Sequence, residues 1–368
     1  MLPELYARWM DQLLGGHIPA ETRATCDDCA MLSGQNEPVT GPEGSFFDQA
    51  TKCCTFTPNL PNFLIGQILS DEDPSLAAGQ AVIRKRLQGD AGVMPRGLAR
   101  PPGARLPRDK MAIAFGRSLT LLCPYYLRDE GMCGIWAHRD SICATWFCKH
   151  NRGAAGKGFW EAVRRLLSAL EYDLEVWCML ELDAGSQAFR TMFSSPGFQA
   201  PATVGRWSPD TVPHRAVLKQ TWGRWMGREE EFYGQCDRLV RPLTWNDVTA
   251  ICGPRVRALA RLVVADYGKI LSNDAHPRLQ CGKLNVTHMT DSGFQVCTYS
   301  PYDPLLLSGA LFHVLHYFDG RPTDEAISAI ASEQGIEFDR RLVRKLADFQ
   351  VLVPVSRSGR LNPFVYGF

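Results

Sequence analysis

Cys133, Cys143 and Cys148 fall within the sixteen residues CGIWAHRDSICATWFC, interleaved with Trp136, Trp146 and Phe147. Thiols this dense are disulfides, metal ligands or a chance grouping. The chain holds 13 cysteines; Cys26, Cys29, Cys53, Cys54, Cys123, Cys133, Cys143 and Cys148 lie in its first 150 residues. Cys178, Cys236, Cys252, Cys281 and Cys297 are scattered singly in apolar or strand-like surroundings, where a free cysteine is expected to serve as a small buried hydrophobe. The opening MLPELYARWMDQLLGGHIPAE has no basic stretch followed by a continuous apolar run, so a cytoplasmic protein is expected. Thiols there stay reduced, which leaves metal ligation as the leading explanation for those that cluster.

Spacing adds detail. Cys26-Asp27-Asp28-Cys29 has the two-residue interval that lets a tight turn aim both sulfurs at one metal or cluster. Adjacent Cys53 and Cys54 reach one site only if the chain bends there; otherwise they serve two sites. The following TFTPNLPNFLIGQIL supplies a bend and then an apolar helix. His138 and His150 lie beside the cysteines as candidate ligands or proton carriers, though an ordinary partly exposed role is expected of each.

Those residues need elements to carry them. At 368 residues, 45% hydrophobic and 21% charged, the chain suits a folded protein of two or three domains. Its 40 basic and 39 acidic residues nearly cancel, so nothing global draws it to nucleic acid or membrane. No apolar stretch is long enough to predict a membrane-spanning helix. SDEDPSLAAGQAVIRKRLQG reads as a helix capped by Ser70 or Asp71, with Pro74 in its first turn. An extended surface loop is expected from Gly89 to Lys110, and a strand in MAIAFGRSLTLLCP. From Lys157 to Met179, Phe159, Val163, Leu166, Leu167, Leu170, Leu174 and Trp177 recur at intervals of three and four, the mark of an amphipathic helix. NRGAAGKG just before it fails as a phosphate loop, with Asn151 in place of the first glycine and Gly158 in place of Ser or Thr. Residues 186–277 read as mostly helical, with a capped helix from Thr244. Trp222, Trp225, Phe232 and Tyr233 there suit a core better than a pocket. Glu229, Glu230 and Glu231 read as a solvated face.

The segments CDDCAM, KCCTFTP and CPYYLRDEGMCGIWAHRDSICATWFC together resemble the YkgJ-type cysteine-cluster proteins, a zinc- or iron-chelating family, and the similar region of flagellin lysine N-methylases. The resemblance covers about residues 20 to 150. Cys123, Pro124, Cys133, Ile135, Arg139 and Cys143 meet the later block of the family's pattern, with Trp136 in place of Tyr and Asp140 in place of Pro. The early block departs, since a loop separates Cys29 from Cys53. The resemblance implies an iron–sulfur cluster, of the 4Fe–4S type, or zinc as the alternative. Its implied ligands are Cys26, Cys29, Cys53, Cys54, Cys123, Cys133 and Cys143; Cys148 joins them by proximity. Eight thiolates suit two zinc ions as well as two clusters, while Trp136, Trp146 and Phe147 suit a cluster shielded from solvent.

CGKLNVTHMTDSGFQVCTYS predicts a hairpin turning at Asp291-Ser292-Gly293. Helices are expected over Pro304–Phe318, Thr323–Gln334 and Phe338–Phe349, with Thr323 as a cap and Gly320 and Gly335 as stops, followed by strand, turn and strand. This end resembles the winged helix of PqqD-like peptide-recognition domains, which implies capture of a peptide along a strand edge. Generic winged helices share the pattern; in that alternative Arg340, Arg341, Arg344 and Lys345 would enter a DNA groove. The expectation is an α+β protein with a cysteine-rich metal domain over 1–155, a mainly helical domain over 156–278 and a winged-helix-like domain over 279–368. A protein or peptide partner is favoured over nucleic acid, and modification of a protein or peptide substrate over regulation of DNA or a structural zinc module. No nucleophile–base pair fixes a reaction.

Overall fold

The computed structural model describes residues 2–32, 47–89, 92–100, 114–193 and 215–355. They form helices with several small sheets, an α+β arrangement. Two compact units are present: one takes described residues within 2–32, 47–146 and 160–264, the other those within 147–159 and 265–355.

In the first unit α1 (Glu4–Leu14) buries Leu5, Tyr6, Trp9 and Met10, a helical stripe, and stops at Gly15, whose φ of 64° suits the left-handed cap. β1 (Leu60–Pro61) leads into α2 (Asn62–Ser70), the apolar helix expected after Cys54; every residue from Asn62 to Ile68 is buried. α3 (Ala77–Leu87) is entered through a single 3₁₀ turn, Pro74–Leu76, capped by Asp73 rather than by Ser70 or Asp71. Asp71 is engaged elsewhere, accepting from the Asp73 amide at 2.9 Å and from His138 at 2.7 Å. Arg84, Lys85 and Arg86 fill the last turn of α3, where the helix dipole favours cations.

The expected surface loop is in part a hairpin. β2 (Val93–Met94) pairs with β3 (Gly97–Leu98), which pairs in turn with β1, and Val93, Met94 and Leu98 are buried. Apolar side chains here override the turn-rich composition; residues 90–91 and 101–113 of that loop lie outside the described residues. The strand expected before Cys123 is replaced, over its described part, by a turn and a 3₁₀ segment, Leu119–Leu121. Gly116, with φ 74°, turns the chain there.

β4 (Tyr126–Leu127), β5 (Met132–Cys133) and the short α4 (Ser141–Thr145) carry the later cysteines. α5 (Gly153–Glu181) is the expected amphipathic helix, longer at both ends; Phe159, Val163, Leu166, Leu167, Leu170 and Leu174 are all buried. The helical middle consists of α6 (Ser186–Phe193), α7 (Arg215–Trp222), α8 (Glu229–Val240), α9 (Trp245–Cys252) and α10 (Pro254–Leu271). α9 begins with the expected cap at Thr244, completed as a capping box by Asp247. Trp222, Trp225, Phe232 and Tyr233 are buried and meet edge to face at 5.4–5.9 Å, so they are core. Glu230 and Glu231 pair with Arg84 and Arg228 on the α8 surface. α2 packs on α8 because residue 66 is glycine: a Cβ there would stand 2.0 Å from the Tyr233 carbonyl oxygen.

In the second unit β6 (Arg278–Cys281) is followed by β7 (Asn285–Thr290) and β8 (Gly293–Cys297), the expected hairpin, turning at Asp291-Ser292 with Thr290 paired to Gly293. The single helix expected over Pro304–Phe318 is instead β9 (Leu305–Leu307), then α11 (Gly309–Val314) and a 3₁₀ turn, Leu315–Tyr317. Leu305, Leu306 and Leu307 pair with β8, and Ser308 caps the helix that follows. β10 (Asp319–Pro322) holds Gly320, which therefore lies in a strand and closes no helix. α12 (Thr323–Gln334) ends at Gly335 as expected. Thr323 is its first residue rather than its cap, with the hydroxyl donated to the His276 carbonyl at 2.7 Å. α13 (Arg340–Asp348), capped by Asp339, and β11 (Leu352–Pro354) complete the order. β6 sits between β10 and β11, and β8 between β7 and β9. The core of the unit gathers Leu279, Val314, Phe318, Ile330, Val343 and Leu346. The closing turn and strand expected after Val355 lie outside the described residues.

Candidate metal centre

Seven of the eight N-terminal cysteines belong to the first unit, and backbone bonds tie several of their segments to one another. Cys26 and Cys29 sit on a turn stapled by an Ala24–Cys29 bridge, by the Thr25 amide to the Asp28 carbonyl at 3.3 Å and by the Asp28 amide to Thr25 Oγ1 at 3.2 Å. Before Cys53 the chain bends at Lys52, with φ 48°, as the Thr51 and Lys52 amides both donate to the Asp48 carbonyl. That bend lets adjacent cysteines share one site, and their side chains hydrogen-bond to each other. The Cys123 amide donates to the Cys54 carbonyl at 2.8 Å, joining the third segment to the second. β4 and β5 pair Tyr126 with Cys133, and the Gly134 amide donates to the Tyr125 carbonyl at 2.8 Å. Lys52 Nζ donates to the carbonyls of Cys26 and Gly131, so the cation beside Cys53 ties the first turn to this hairpin.

Cys143 is placed by α4. Asp140 caps this helix by accepting from the amides of Ile142 and Cys143, each at 3.2 Å. Glu171 of α5 supports it from beneath, accepting from the Ser141 amide at 2.6 Å, from Ser141 Oγ and from the Tyr6 hydroxyl.

The thiols act electrostatically on one another. Burial raises Cys26 and Cys29, takes Cys123 up to about 11 and Cys133 up to about 12, and holds Cys143 well above the ordinary thiol value. Repulsion links Cys26 to Cys53, Cys29 to Cys53, Cys54 to Cys123 and Cys133, and Cys143 to Cys123 and Cys133. Cys53 is lowered, chiefly by the hydrogen bond from Cys54, and Cys54 is raised by the same bond. Arg139 lies at the middle: buried, it faces Cys133, Cys143, Cys26 and Cys53, and those thiols favour its charge. Its guanidinium donates to the carbonyls of Trp136 at 3.2 Å and Cys143 at 3.1 Å and stacks on the Trp136 ring at 3.3 Å from the centroid. Cys53 is the exposed member of the set. With its thiolate favoured, it is expected to react first with iodoacetamide in metal-free protein, as peptide mapping at short reaction times would read.

Among the described residues no group of three or more His, Cys, Asp or Glu side chains stands ready to hold a metal ion. The residue types fit a thiophilic metal: Cys26, Cys53, Cys133 and Cys143 face one buried cation, Arg139, whose charge thiolates would balance. Ligation would require side-chain movement and loss of the thiol protons.

Cys148 and Phe147 belong to the second unit. Trp146 is 37% exposed and meets Phe115 edge-on at 5.4 Å, while Trp136 packs under the Arg139 guanidinium. His138 Nε2 bonds to Asp71 at 2.7 Å. His150 is buried, its Nδ1 has no hydrogen-bond partner, and burial lowers it to about 4. Cys178 and Cys236 are buried as expected, Cys178 donating to the Cys236 carbonyl at 3.9 Å. Cys281 is exposed, since it lies on an outward-facing position of β6.

Glu171 and Glu175 are the residues that composition and spacing passed over. Both occupy the buried stripe of α5 that Leu167, Leu170 and Leu174 define, and a carboxylate within such a stripe is the available signal. Burial takes Glu175 up to about 7 against the pull of its partner Arg96, and raises Glu171 as well, with Asp140 adding to the rise. A carboxyl raised on folding stabilises fully below its unfolded value of 4.5, and that contribution fades as pH climbs through the folded value. The melting temperature is therefore expected to fall by several degrees between pH 5 and pH 8, and Glu175→Gln to flatten that slope. An equal slope in wild type and variant would contradict the assignment.

No helix among the described residues is long and apolar enough to cross a membrane. No family model matches the chain, and neither the curated proteins nor the solved structures give a match.

Proposed function

We propose that the protein binds a thiophilic metal centre, an iron–sulfur cluster with zinc as the alternative, through Cys26, Cys29, Cys53, Cys54, Cys123, Cys133 and Cys143 in a reducing compartment. The observation that carries the reading is buried Arg139, which faces four of these thiols, Cys26, Cys53, Cys133 and Cys143. A cluster or zinc ion ligated by four thiolates bears net negative charge, which a fixed guanidinium offsets, and which neutral thiols would not supply. When bound, an iron–sulfur cluster would supply electron transfer and zinc a structural clasp. The chain's own contribution is to hold the sulfurs: Lys52 binds two of the segments together, Asp140 and Glu171 seat α4, and Arg139 fixes the charge.

Iron, acid-labile sulfide and zinc measured on anaerobically purified protein test this. Equal iron and sulfide, or stoichiometric zinc, support it; protein free of all three refutes it. Arg139→Ala is expected to weaken metal binding by about 10–100-fold, the usual cost of losing an outer-shell partner, as competition with a chelator would read.

For the second unit, the order helix, strand, helix, helix, strand over α11, β10, α12, α13 and β11 supports the winged-helix reading. Peptide capture is favoured over DNA binding. Arg344 is committed to Asp348 at 2.9 Å and to the carbonyls of Asp274 and Lys269, and Arg340 pairs with Asp324 at 2.8 Å. β7, by contrast, is an edge strand whose six residues are all exposed, the geometry on which an added strand can pair. We infer that the unit engages a protein or peptide on which the metal-bearing unit acts, the modification of such a substrate being preferred to a regulatory or purely structural role.

A further inference from the structure

A second place in the first unit carries a ligand chemistry independent of the thiols. Between α5, α10 and the start of α4 lies a cleft of about 540 Å³, lined by Ile142, Arg164, Arg165, Ser168, Tyr172 and Arg255 with Ala169 and Leu259. That volume falls within the usual range of small-molecule sites, roughly 300–1,000 Å³. Arg165, Tyr172 and Arg255 are exposed, so the cleft opens to solvent.

Three guanidiniums line this cleft and no carboxylate does. Arg255 is balanced by Asp173 at 2.7 Å, outside the lining. Arg164 and Arg165 have no ion-pair partner among the described residues, a state they share with exposed Arg238 and Arg261, but they alone of these line the cleft. Adjacent on α5, they leave two positive charges uncompensated at one mouth. Ile142, Ala169 and Leu259 supply apolar wall, and Ser168 a hydroxyl already bonded to Ser141 at 2.7 Å. Paired guanidinium forks match the oxygens of a phosphate, and two uncompensated charges match its dianion better than a single carboxylate. The apolar wall accommodates an organic group behind it.

We propose that this cleft binds a small organic phosphate monoester, its phosphate on Arg164 and Arg165 with Arg255 beside them, and its apolar body against Ile142, Ala169 and Leu259. Nothing in the inference depends on metal at the cysteines, so the two assignments fail separately.

Titration calorimetry with phenyl phosphate on the full chain tests it, with phenol and benzoate as comparison probes. Saturable one-to-one binding of phenyl phosphate is expected. Benzoate should bind at least about tenfold more weakly and phenol should show no saturation, since loss of a charge-assisted contact costs about 1.5–3 kcal/mol, or tenfold and more. The double variant Arg164→Ala/Arg165→Ala should lose at least about tenfold in affinity, and Arg255→Gln less, with melting temperature and metal content unchanged in both. The proposal is overturned by absence of saturable binding, by benzoate binding as tightly as phenyl phosphate, or by unchanged affinity in the double variant.

Discussion

Replacing Cys133 or Cys143 with serine is expected to strip most of the bound metal and to lower the melting temperature of the first unit by more than about 10 °C. The two residues enter the site from different elements, β5 and α4, yet their sulfurs repel each other and face the same guanidinium. Serine keeps the size but is a poor ligand for a thiophilic metal. A metal held by these segments would add its binding free energy to folding, so its loss is expected to cost several kcal/mol. A Cys178→Ser variant controls for the loss of any thiol. Cys178 lies buried beside Cys236, and its replacement should leave metal content unchanged. Full metal content in both Cys133→Ser and Cys143→Ser would remove these residues from the centre.

Gly79→Ala is expected to act almost as strongly from a position with no chemistry of its own. A Cβ at residue 79 in α3 would stand 2.0 Å from the Gly134 carbonyl oxygen and 3.0 Å from Ile135 Cγ2. The obstacle is backbone of the cysteine hairpin, directly after Cys133, and it cannot rotate away. Relief requires α3 and the hairpin to separate, at a cost of about 3 kcal/mol, the upper end of ordinary overpacking. The variant should therefore melt earlier and bind metal more weakly. Gly89→Ala, where the added Cβ meets nothing closer than 3.5 Å, should do neither. Equal stability of the two variants would show that α3 does not brace the hairpin as described.

The sequence displayed some of this architecture openly. α5 was legible because a long run of apolar residues at intervals of three and four has one solution, and α9 because Thr244 and Asp247 form a capping box. The β7–β8 hairpin was legible from its turn residues. Elements set by distant partners were not. Leu305, Leu306 and Leu307 have helical composition but are drawn into a strand by β8. Val93 and Met94 make a buried hairpin inside a segment rich in glycine, proline and arginine, because β3, itself paired to β1, offers a place to pair. Thr323 resembles a cap in isolation, whereas the fold gives its hydroxyl to His276.

At the candidate centre the residue types were legible and their grouping only partly so. Cys148 is joined to Cys143 by sequence proximity alone, and it belongs to the second unit. The bend that brings Cys53 and Cys54 to one place rests on a positive φ at Lys52, a conformation no local composition announces. Arg139 stood out only as part of a pattern; its burial among the thiols follows from the hairpin and α4 converging on it. Glu171, four residues beyond Leu167 on the buried stripe, could be noticed as a carboxyl out of place but not matched to Ser141 and Tyr6.

Whether thiolates of the first unit hold a metal is tested most directly by X-ray absorption at the iron and zinc edges of anaerobically purified protein. A first shell of sulfur alone is expected, near 2.3 Å for either metal, with a short iron–iron distance if a cluster is present. That shell should be depleted in Cys133→Ser protein. A first shell dominated by nitrogen or oxygen, or an edge absent from intact wild-type protein, would contradict it.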